Sequence, residues 1–209
     1  MRVVIFANGE LGCGVYAKNI VKNGDHIIAC DGGLRHCKTL NLTPDYIIGD
    51  LDSADPDMLK KYANVPVKNF PSEKDFTDLE LSINCACDIG AENIIVLGGL
   101  GGRVDHLLAN IHVLSQAAER GVPAEMTDER TKVTVINGSC DFKLNGGKIL
   151  TLLPLTTTVD GIITSGLKYP LNGESLKTGF ARGVSNEIIN TQARVSVKKG
   201  LLAAIQIRD

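Results

Sequence analysis

Two carboxylates, Asp50 and Asp52, follow a short apolar run at 46–48 and the turn residue Gly49. In an extended segment, residues two positions apart point to the same face of the chain. Two close carboxylates repel each other unless a cation lies between them, and Mg²⁺ binds carboxylate oxygens together with substrate phosphates. The spacing therefore predicts a magnesium site. The alternative is a solvated acidic turn, because Asp, Gly and Ser are ordinary turn residues.

A second loop, after the apolar run at 26–30, reads Asp31-Gly32-Gly33. Adjacent glycines allow a tight turn and let the backbone approach a ligand closely. The same tripeptide is also common in turns that bind nothing. By itself this loop is a weak indication of a site.

A third loop, 72–78, follows the run at 65–69 and opens a predicted helix. We expect Ser72 to cap that helix and Asp75 and Asp78 to lie on one face of its first turns. The alternative is that these residues only cap the helix and complement its dipole.

A fourth loop, 98–106, follows the run at 93–97 and opens another predicted helix. Glycines before a helix leave backbone N–H groups free to hold a phosphate, and an arginine adds a planar fork that grips one. The loop matches neither the dinucleotide fingerprint nor the Walker sequence. Its candidate ligand-binding residues are Gly98, Gly99, Gly101, Gly102, Arg103, Asp105 and His106.

The elements that position these loops alternate between strand and helix over the first 125 residues or so. This alternation predicts a parallel sheet flanked by helices, in which ligands bind beyond the carboxyl ends of the strands. All four loops follow strands, so together they predict a metal-assisted phosphoryl-transfer site. The predicted strands are 3–6, 26–30, 46–48, 65–69 and 93–97, and the predicted helices are 15–22, 34–40, 56–62, 76–89 and 104–120.

From about residue 127 the pattern changes to short strands separated by turns, which predicts an antiparallel sandwich or barrel. We therefore expect an α/β domain at 1–127 and a β-rich domain at 128–209. Segments 164–170 and 181–187 combine an aromatic ring with a Gly-x-Ser-Asn turn, a pair suited to a flat polar heterocycle. The alternative is ordinary hairpin chemistry. The predicted strands are 133–136, 142–144, 149–153, 159–165, 195–197 and 202–207.

Composition excludes several classes of function. The net charge is −2, and the absence of a Lys/Arg cluster argues against a nucleic-acid or anionic-membrane partner. No apolar run is long enough for a signal-peptide core or a bilayer span. Six cysteines without zinc or redox spacing are typical of reduced thiols, so we expect a cytoplasmic protein.

Taken in order, these motifs resemble those of the thiamine pyrophosphokinase family over nearly the whole chain. The resemblance implies transfer of the pyrophosphoryl group of ATP to the thiamine hydroxyl, with release of AMP. It also implies an α/β catalytic domain joined to a β-rich thiamine-binding domain, in a homodimer that holds thiamine at the subunit interface. The residues that carry it are 31–33, 49–53, 74–78, 98–106, 166–169 and 185–187.

The resemblance also implies roles for individual residues. Asp50, Asp52 and Asp78 would hold Mg²⁺, while Arg103 and the 98–102 amides would stabilise the transferred group. Asp105 or a metal-bound aspartate would orient the hydroxyl or accept its proton. Further nucleotide contacts are implied for Asp31, Gly32, Gly33, Ser53, Lys74, Thr77 and His106. Thiamine contacts are implied for Leu167, Tyr169 (tryptophan in some relatives), Ser185 and Asn186.

Two rival functions stay open at this point. One is a pyrophosphokinase that acts on another heterocyclic alcohol, such as a hydroxymethylpterin. The other is a non-catalytic nucleotide- or thiamine-binding module, which needs a glycine-rich phosphate loop but not several converging carboxylates. A turnover assay distinguishes an enzyme from the non-catalytic binding module. Competition between thiamine and the other alcohol distinguishes the two pyrophosphokinases.

Overall fold

A computed structural model of the chain describes residues 1–49, 56–68 and 76–208. The chain divides into two compact units, Met1–Glu129 and Arg130–Asp209. In the described residues, no helix has the length and apolar character needed to cross a membrane. The assignment of catalysis to 1–127 and of thiamine binding to 128–209 stays a prediction.

The first unit is a parallel sheet with helices on its faces. Its strands lie in the order β6-β5-β1-β2-β3-β4, and each neighbouring pair is parallel. The strands are β1 (Arg2–Phe6), β2 (His26–Cys30), β3 (Tyr46–Ile48), β4 (Val67–Lys68), β5 (Asn93–Leu97) and β6 (Ala124–Thr127). The helices are α1 (Gly14–Ile20), α2 (Leu34–Leu40), α3 (Pro56–Lys61), α4 (Asp78–Asp88) and α5 (Val104–Glu119).

Burial on both faces explains why these strands read as continuous apolar runs rather than as alternating ones. In β1, Val4 and Phe6 belong to a core cluster shared with residues of α1, α2 and α3. Val3 and Ile5 are equally buried but point to the opposite face, because side chains alternate along a strand. Helix α4 contacts β1, β2 and β3 and packs on α5. The result is the predicted α/β/α layering.

Helix α4 differs from its prediction at the amino end. It begins at Asp78 rather than at residue 76, and its cap is Thr77, whose side chain accepts a hydrogen bond from the Glu80 N–H at 3.2 Å. Ser72, the residue that we expected to cap it, lies outside the described residues. Thr77 stands three residues before Glu80, which is the Ser/Thr-x-x-Glu spacing typical of a helix start, so the correct cap was present in the sequence.

The second unit contains two groups of four antiparallel strands, one group in each of two sheets, over one core. Phe142, Leu152, Val159 and Leu202, drawn from both sheets, are buried in a single cluster. The sheet orders are β12-β9-β14-β7 and β11-β10-β13-β8. The strands are β7 (Thr131–Ile136), β8 (Ser139–Lys143), β9 (Ile149–Pro154), β10 (Thr158–Ser165), β11 (Asn172–Lys177), β12 (Asn186–Glu187), β13 (Gln192–Ser196) and β14 (Leu202–Ile207).

The predicted fold class, α/β followed by an antiparallel β-sandwich, is confirmed. Three strands were not predicted, namely β6, β11 and β12. This difference at β11 has a local cause, since the dipeptide Asn172-Gly173 is typical of a turn but begins the strand here. Gly173 has a φ of 100°, so the pair still bends the chain while its neighbours form the ladder.

Candidate active site

The first unit contains a cleft of about 800 Å³ at the carboxyl ends of β1, β2 and β5. The structure brings together there most of the described residues predicted for the nucleotide and the phosphates. Residues outside the predicted motifs also line the cleft, among them Asn8, Gly9 and Asn110. The predicted residues that line it are Asp31, Thr77, Asp78, Gly98, Gly99, Gly101, Gly102, Arg103, Asp105 and His106.

Asp31 lies at the end of β2 with a φ of 47°, in the left-handed region that non-glycine residues rarely occupy. Such backbone conformations persist where the surroundings hold them and are concentrated at functional sites. The chain passes close behind it, since a Cβ at Gly49 would meet the Asp31 Cα at 3.0 Å. Asp31 is therefore held with its carboxylate at the cleft.

The two glycines of the Asp-Gly-Gly motif do not line the cleft. Gly33 lies against β1, and a Cβ there would come within 1.9 Å of the Phe6 carbonyl oxygen. Gly32 faces Asn8, and a Cβ there would come within 2.1 Å of the Asn8 Oδ1. The absence of a side chain at both positions allows other parts of the protein to approach closely.

A hydrogen-bond network joins Asp31 to the loop after β1. The Asn8 Nδ2 donates to the Asp31 Oδ2 at 3.0 Å. The Arg35 guanidinium donates to the Asn8 Oδ1 at 2.6 Å, to the Asn8 carbonyl at 2.5 Å and to the Gly9 carbonyl at 3.0 Å. The ring Nε2 of His36 lies 2.8 Å from the same Gly9 oxygen. Helix α2 thus anchors the side chain that orients Asp31.

Sequence reasoning missed Asn8 and Arg35. A signal for Asn8 was available, because the rule that ligands bind after strands applies to the first strand as well as to the others. Ala7-Asn8-Gly9 follows β1 and lines the cleft. Arg35 gives no such signal, since its partners lie 26 and 27 residues away.

The glycine-rich loop is shaped by its approach to the loop after β1. Gly98 has a φ of 72°, and a Cβ there would come within 2.7 Å of the Ala7 carbonyl oxygen. The Gly98 carbonyl accepts a hydrogen bond from the Gly9 N–H at 2.8 Å. Farther along, the Asn110 Nδ2 donates to the Gly99 carbonyl at 2.9 Å. The loop is thus attached to β1 on one side and to α5 on the other.

Arg103 and Asp105 form an ion pair at the start of α5. The Arg103 Nε and Nη2 donate to the two Asp105 carboxylate oxygens at 3.1 and 2.5 Å. This pairing lowers the pKa of Asp105 to about 2. Both side chains are largely exposed, at 74% for Arg103 and 60% for Asp105, so the guanidinium is accessible to a phosphate. A carboxylate with so low a pKa is a weak base while it is paired.

The amino end of α4 supplies Thr77 and Asp78 to the same cleft. Asp78 is the one predicted metal ligand that the structure describes. Asp50, Asp52, Ser53 and Lys74 lie outside the described residues. Within 1–49, 56–68 and 76–208, no group of three or more His, Cys, Asp or Glu side chains is arranged to hold a metal ion. The Asp50–Asp52–Asp78 site stays a prediction.

Cys30 lines the cleft beside Asp31. Burial raises the pKa of its thiol to about 12, and the carboxylates of Asp78 and Asp31 act in the same direction. The thiolate is the nucleophilic form of cysteine, so Cys30 is unreactive at neutral pH. It contributes a neutral wall to the cleft.

The residues predicted for thiamine lie in the second unit. Tyr169 is 63% exposed, whereas Leu167 and Asn186 are buried. Ser185 has a φ of 57°, the second left-handed non-glycine residue at a predicted site position. The Asn186 Nδ2 donates to the Tyr169 carbonyl at 2.7 Å, and its Oδ1 accepts from the Tyr169 N–H at 3.1 Å. Asn186 and Tyr169 are therefore directly linked.

Comparison with known proteins covers both units. Residues 17–126 match the family described as thiamin pyrophosphokinase, catalytic domain, and residues 139–202 match its vitamin B1 binding domain. The chain is 27% identical to thiamine pyrophosphokinase of Bacillus subtilis over 186 residues, which cover 87% of each protein. It is also 27% identical to thiamin pyrophosphokinase 1 of Caenorhabditis elegans, with 99% of this chain and 90% of that protein covered.

Solved structures show the same architecture. A crystal structure of thiamin pyrophosphokinase from Geobacillus thermodenitrificans matches with a TM-score of 0.87 at 27% identity, covering 100% of this chain and 98% of that one. The fold of the Bacillus subtilis enzyme matches with a TM-score of 0.88 at 24% identity over the full length of both chains. The catalytic-domain match alone spans more than half of the 209 residues, and on that evidence the chain belongs to the thiamin pyrophosphokinase family.

Proposed function

We propose that the chain transfers the pyrophosphoryl group of ATP to the hydroxyl of thiamine, giving thiamine diphosphate and AMP. The observation that carries this proposal is the convergence of Asp31, Asp78, Arg103 and the glycine-rich loop on one cleft. Family membership supports the substrates, since both the catalytic and the vitamin B1 binding domains are matched. A module that only binds nucleotide has no need of several carboxylates in the cleft that contains the phosphate loop.

The reaction forms a bond between the thiamine hydroxyl oxygen and the β-phosphorus of ATP. The bond from that phosphorus to the oxygen it shares with the α-phosphate breaks, and AMP leaves with the electron pair. The hydroxyl proton is lost to a base. Negative charge grows on the leaving oxygen and on the transferred group, so catalysis of this kind depends on positioning and on fixed positive groups.

Each predicted residue that lines the cleft has a part in this scheme. The 98–102 backbone and the Arg103 guanidinium stabilise the transferred group. Asp31, oriented by Asn8, contacts the nucleotide, as Thr77 and His106 do. Because Asp105 is a weak base while it is paired, its first role is to hold Arg103 in place. The base would be Asp105, once Arg103 turns to the phosphates, or one of the aspartates that hold Mg²⁺.

Mg²⁺ is part of the proposal. Asp78, at the amino end of α4, would hold it together with Asp50 and Asp52, through the hard oxygen ligands that this ion prefers. When bound, the ion neutralises charge on the phosphates and on the leaving oxygen. We also propose Ser53 and Lys74 as nucleotide contacts and the cytoplasm as the location.

The direct test is turnover. The protein is incubated with ATP, Mg²⁺ and thiamine, and thiamine diphosphate and AMP are separated by chromatography. We expect equimolar formation of the two products. ADP in place of AMP would contradict pyrophosphoryl transfer, and absence of turnover with bound ATP would favour the binding-module alternative. Competition of thiamine with a hydroxymethylpterin decides between the two alcohols.

We further propose a homodimer that holds thiamine at the subunit interface. If so, Asp52 of one chain works with Tyr169 of the other. Mixing a Tyr169→Ala chain with an Asp52→Asn chain then gives dimers with one doubly altered site and one intact site. We expect recovery of activity at low thiamine. If both residues serve a site in the same chain, every site keeps one lesion and no activity returns.

A further inference from the structure

The side chain of Asn186 binds the backbone of Tyr169 on both sides. Its Nδ2 donates to the Tyr169 carbonyl at 2.7 Å, and its Oδ1 accepts from the Tyr169 N–H at 3.1 Å. The same Oδ1 accepts from the Glu187 N–H at 2.9 Å. Asn186 is 9% exposed, whereas Tyr169 is 63% exposed. We propose that Asn186 is a positioning residue that holds the ring of Tyr169 in place for stacking on thiamine.

This role differs from the direct contact with thiamine implied by the family resemblance. A carboxamide oxygen has two lone pairs, and both have partners in the protein here. The oxygen is therefore not available to accept a hydrogen bond from a substrate. One amide hydrogen remains, but the buried position of the group limits its access to a ligand.

The backbone around Asn186 shows why a side chain is needed there. Segments 166–169 and 186–189 run alongside each other: the Ile189 N–H donates to the Gly166 carbonyl at 3.0 Å and the Lys168 N–H to the Glu187 carbonyl at 2.9 Å. Hydrogen-bonded and non-hydrogen-bonded pairs alternate in an antiparallel ladder, so continued pairing would leave the N–H and carbonyl of Tyr169 without a partner on this side. The backbone of Asn186 belongs to β12, which pairs with β9. The Asn186 side chain bonds the N–H and carbonyl of Tyr169, since an amide offers a donor and an acceptor together.

The exposed ring of Tyr169 has little packing of its own to orient it. Its recorded ring contact is with Lys168, whose Nζ lies 5.6 Å from the ring centroid. An exposed side chain samples its rotamers on the picosecond to nanosecond scale. A fixed backbone limits the directions in which those rotamers can point. Restraint of the backbone therefore lowers the conformational entropy that is lost when a ligand stacks on the ring.

This inference rests on the proposed function, and the test is designed to separate the two. The chain contains no tryptophan, so Tyr169→Trp introduces a single fluorescent reporter at the position in question. Time-resolved anisotropy of this reporter measures its local motion without any ligand. Thiamine titration of the same protein, followed by fluorescence quenching, measures stacking. The anisotropy therefore decides the positioning role whether or not thiamine binds.

Two changes at residue 186 are added to the reporter protein. Asn186→Ala removes all three hydrogen bonds, and we expect faster, wider motion of the reporter. Asn186→Asp keeps an acceptor for the two N–H groups but cannot donate to the Tyr169 carbonyl, so it should be intermediate. If Asn186→Ala does not fold, Asn186→Asp carries the test. Asn190→Ala, at an exposed asparagine of the same segment, is the control and should leave the motion unchanged.

Kinetics with the natural Tyr169 give an independent readout. In Asn186→Ala we expect KM for thiamine to rise about two- to tenfold, the scale of one aromatic contact. KM for ATP and kcat at saturating thiamine should stay unchanged, because the ring acts in binding. Unchanged anisotropy and unchanged thiamine KM in Asn186→Ala would overturn the proposal. Altered anisotropy without quenching by thiamine would instead retain the positioning role and contradict the proposed site of thiamine.

Discussion

Adjacent alanine substitutions at Gly32 and Gly33 should fail in different ways. Neither glycine has a positive φ, so the added methyl group acts through space alone. At Gly33 it would lie 1.9 Å from the Phe6 carbonyl oxygen, in the backbone of a fully buried strand. At Gly32 it would lie 2.1 Å from the side chain of Asn8, which is exposed and can rotate away. Gly33→Ala therefore strains the core, whereas Gly32→Ala disturbs the cleft.

The expected magnitudes follow from these neighbours. Overpacking against a backbone that cannot move away costs about 3 kcal/mol, at the upper end of the usual range. Replacing glycine with alanine also lowers the conformational entropy of the unfolded chain, which stabilises the folded state by about 0.4–1 kcal/mol. Gly33→Ala should therefore lose about 2 kcal/mol and melt roughly 4–8 °C lower, at about 2–4 °C per kcal/mol for a chain of this size. Gly32→Ala should melt within about 2 °C of the parent, because the bonds it disturbs are exposed.

Activity should be affected in the reverse order, with a larger loss in Gly32→Ala than in Gly33→Ala. Displacing Asn8 removes the hydrogen bond that orients Asp31 and one of the bonds from Arg35. A hydrogen bond to a charged group contributes about 1.5–3 kcal/mol, so kcat/KM for ATP in Gly32→Ala should fall roughly tenfold or more. Folded Gly33→Ala, assayed well below its melting temperature, should fall less.

The assays are thermal unfolding followed by circular dichroism and steady-state kinetics with ATP varied. The control is Gly14→Ala at the start of α1, where the new methyl group meets only the Leu40 Cδ2 at 3.8 Å. That change should be neutral or slightly stabilising, because alanine is the better helix former. A Gly32→Ala protein with unchanged ATP kinetics would refute the role given to the Asn8–Asp31 network. A Gly33→Ala protein with the same melting temperature as the parent would refute the steric argument.

Three further outcomes are expected. Arg103→Lys keeps the charge but loses the planar fork, so kcat should fall on the order of a hundredfold; unchanged kcat would contradict its role. Asp78→Asn should abolish most Mg²⁺-dependent turnover while the protein stays folded, and normal turnover at saturating Mg²⁺ would exclude it as a ligand. The pKa of Asp105, about 2, should rise in Arg103→Met, as measured by NMR of its carboxyl carbon. In the parent, the stability from this depressed pKa is present above the usual Asp range and lost as the pH falls toward 2.

The fold class and the family could be predicted from the sequence because their signals are local. Alternating strand and helix patterns in the first unit determine a parallel sheet, and strands buried on both faces are continuous apolar runs that are easily recognised. The loops of the cleft follow those strands directly, so position in the chain predicted position in the fold. The two-residue strand β12 consists of Asn186 and Glu187, so it contains no apolar run that would predict it.

Only the tertiary structure decided what several of these residues contact. Asn8, Asp31 and Arg35 are up to 27 residues apart, and no local pattern records that they share hydrogen bonds. The sequence predicts close approach at Gly32 and Gly33, and the fold brings Asn8 and the Phe6 backbone to them. Asn186 is predicted from the sequence to contact the substrate, and the fold brings its side chain to the backbone of Tyr169, 17 residues earlier in the chain. Residue types reveal which hydrogen bonds a side chain can form, but the partner that completes them is chosen when distant segments pack together.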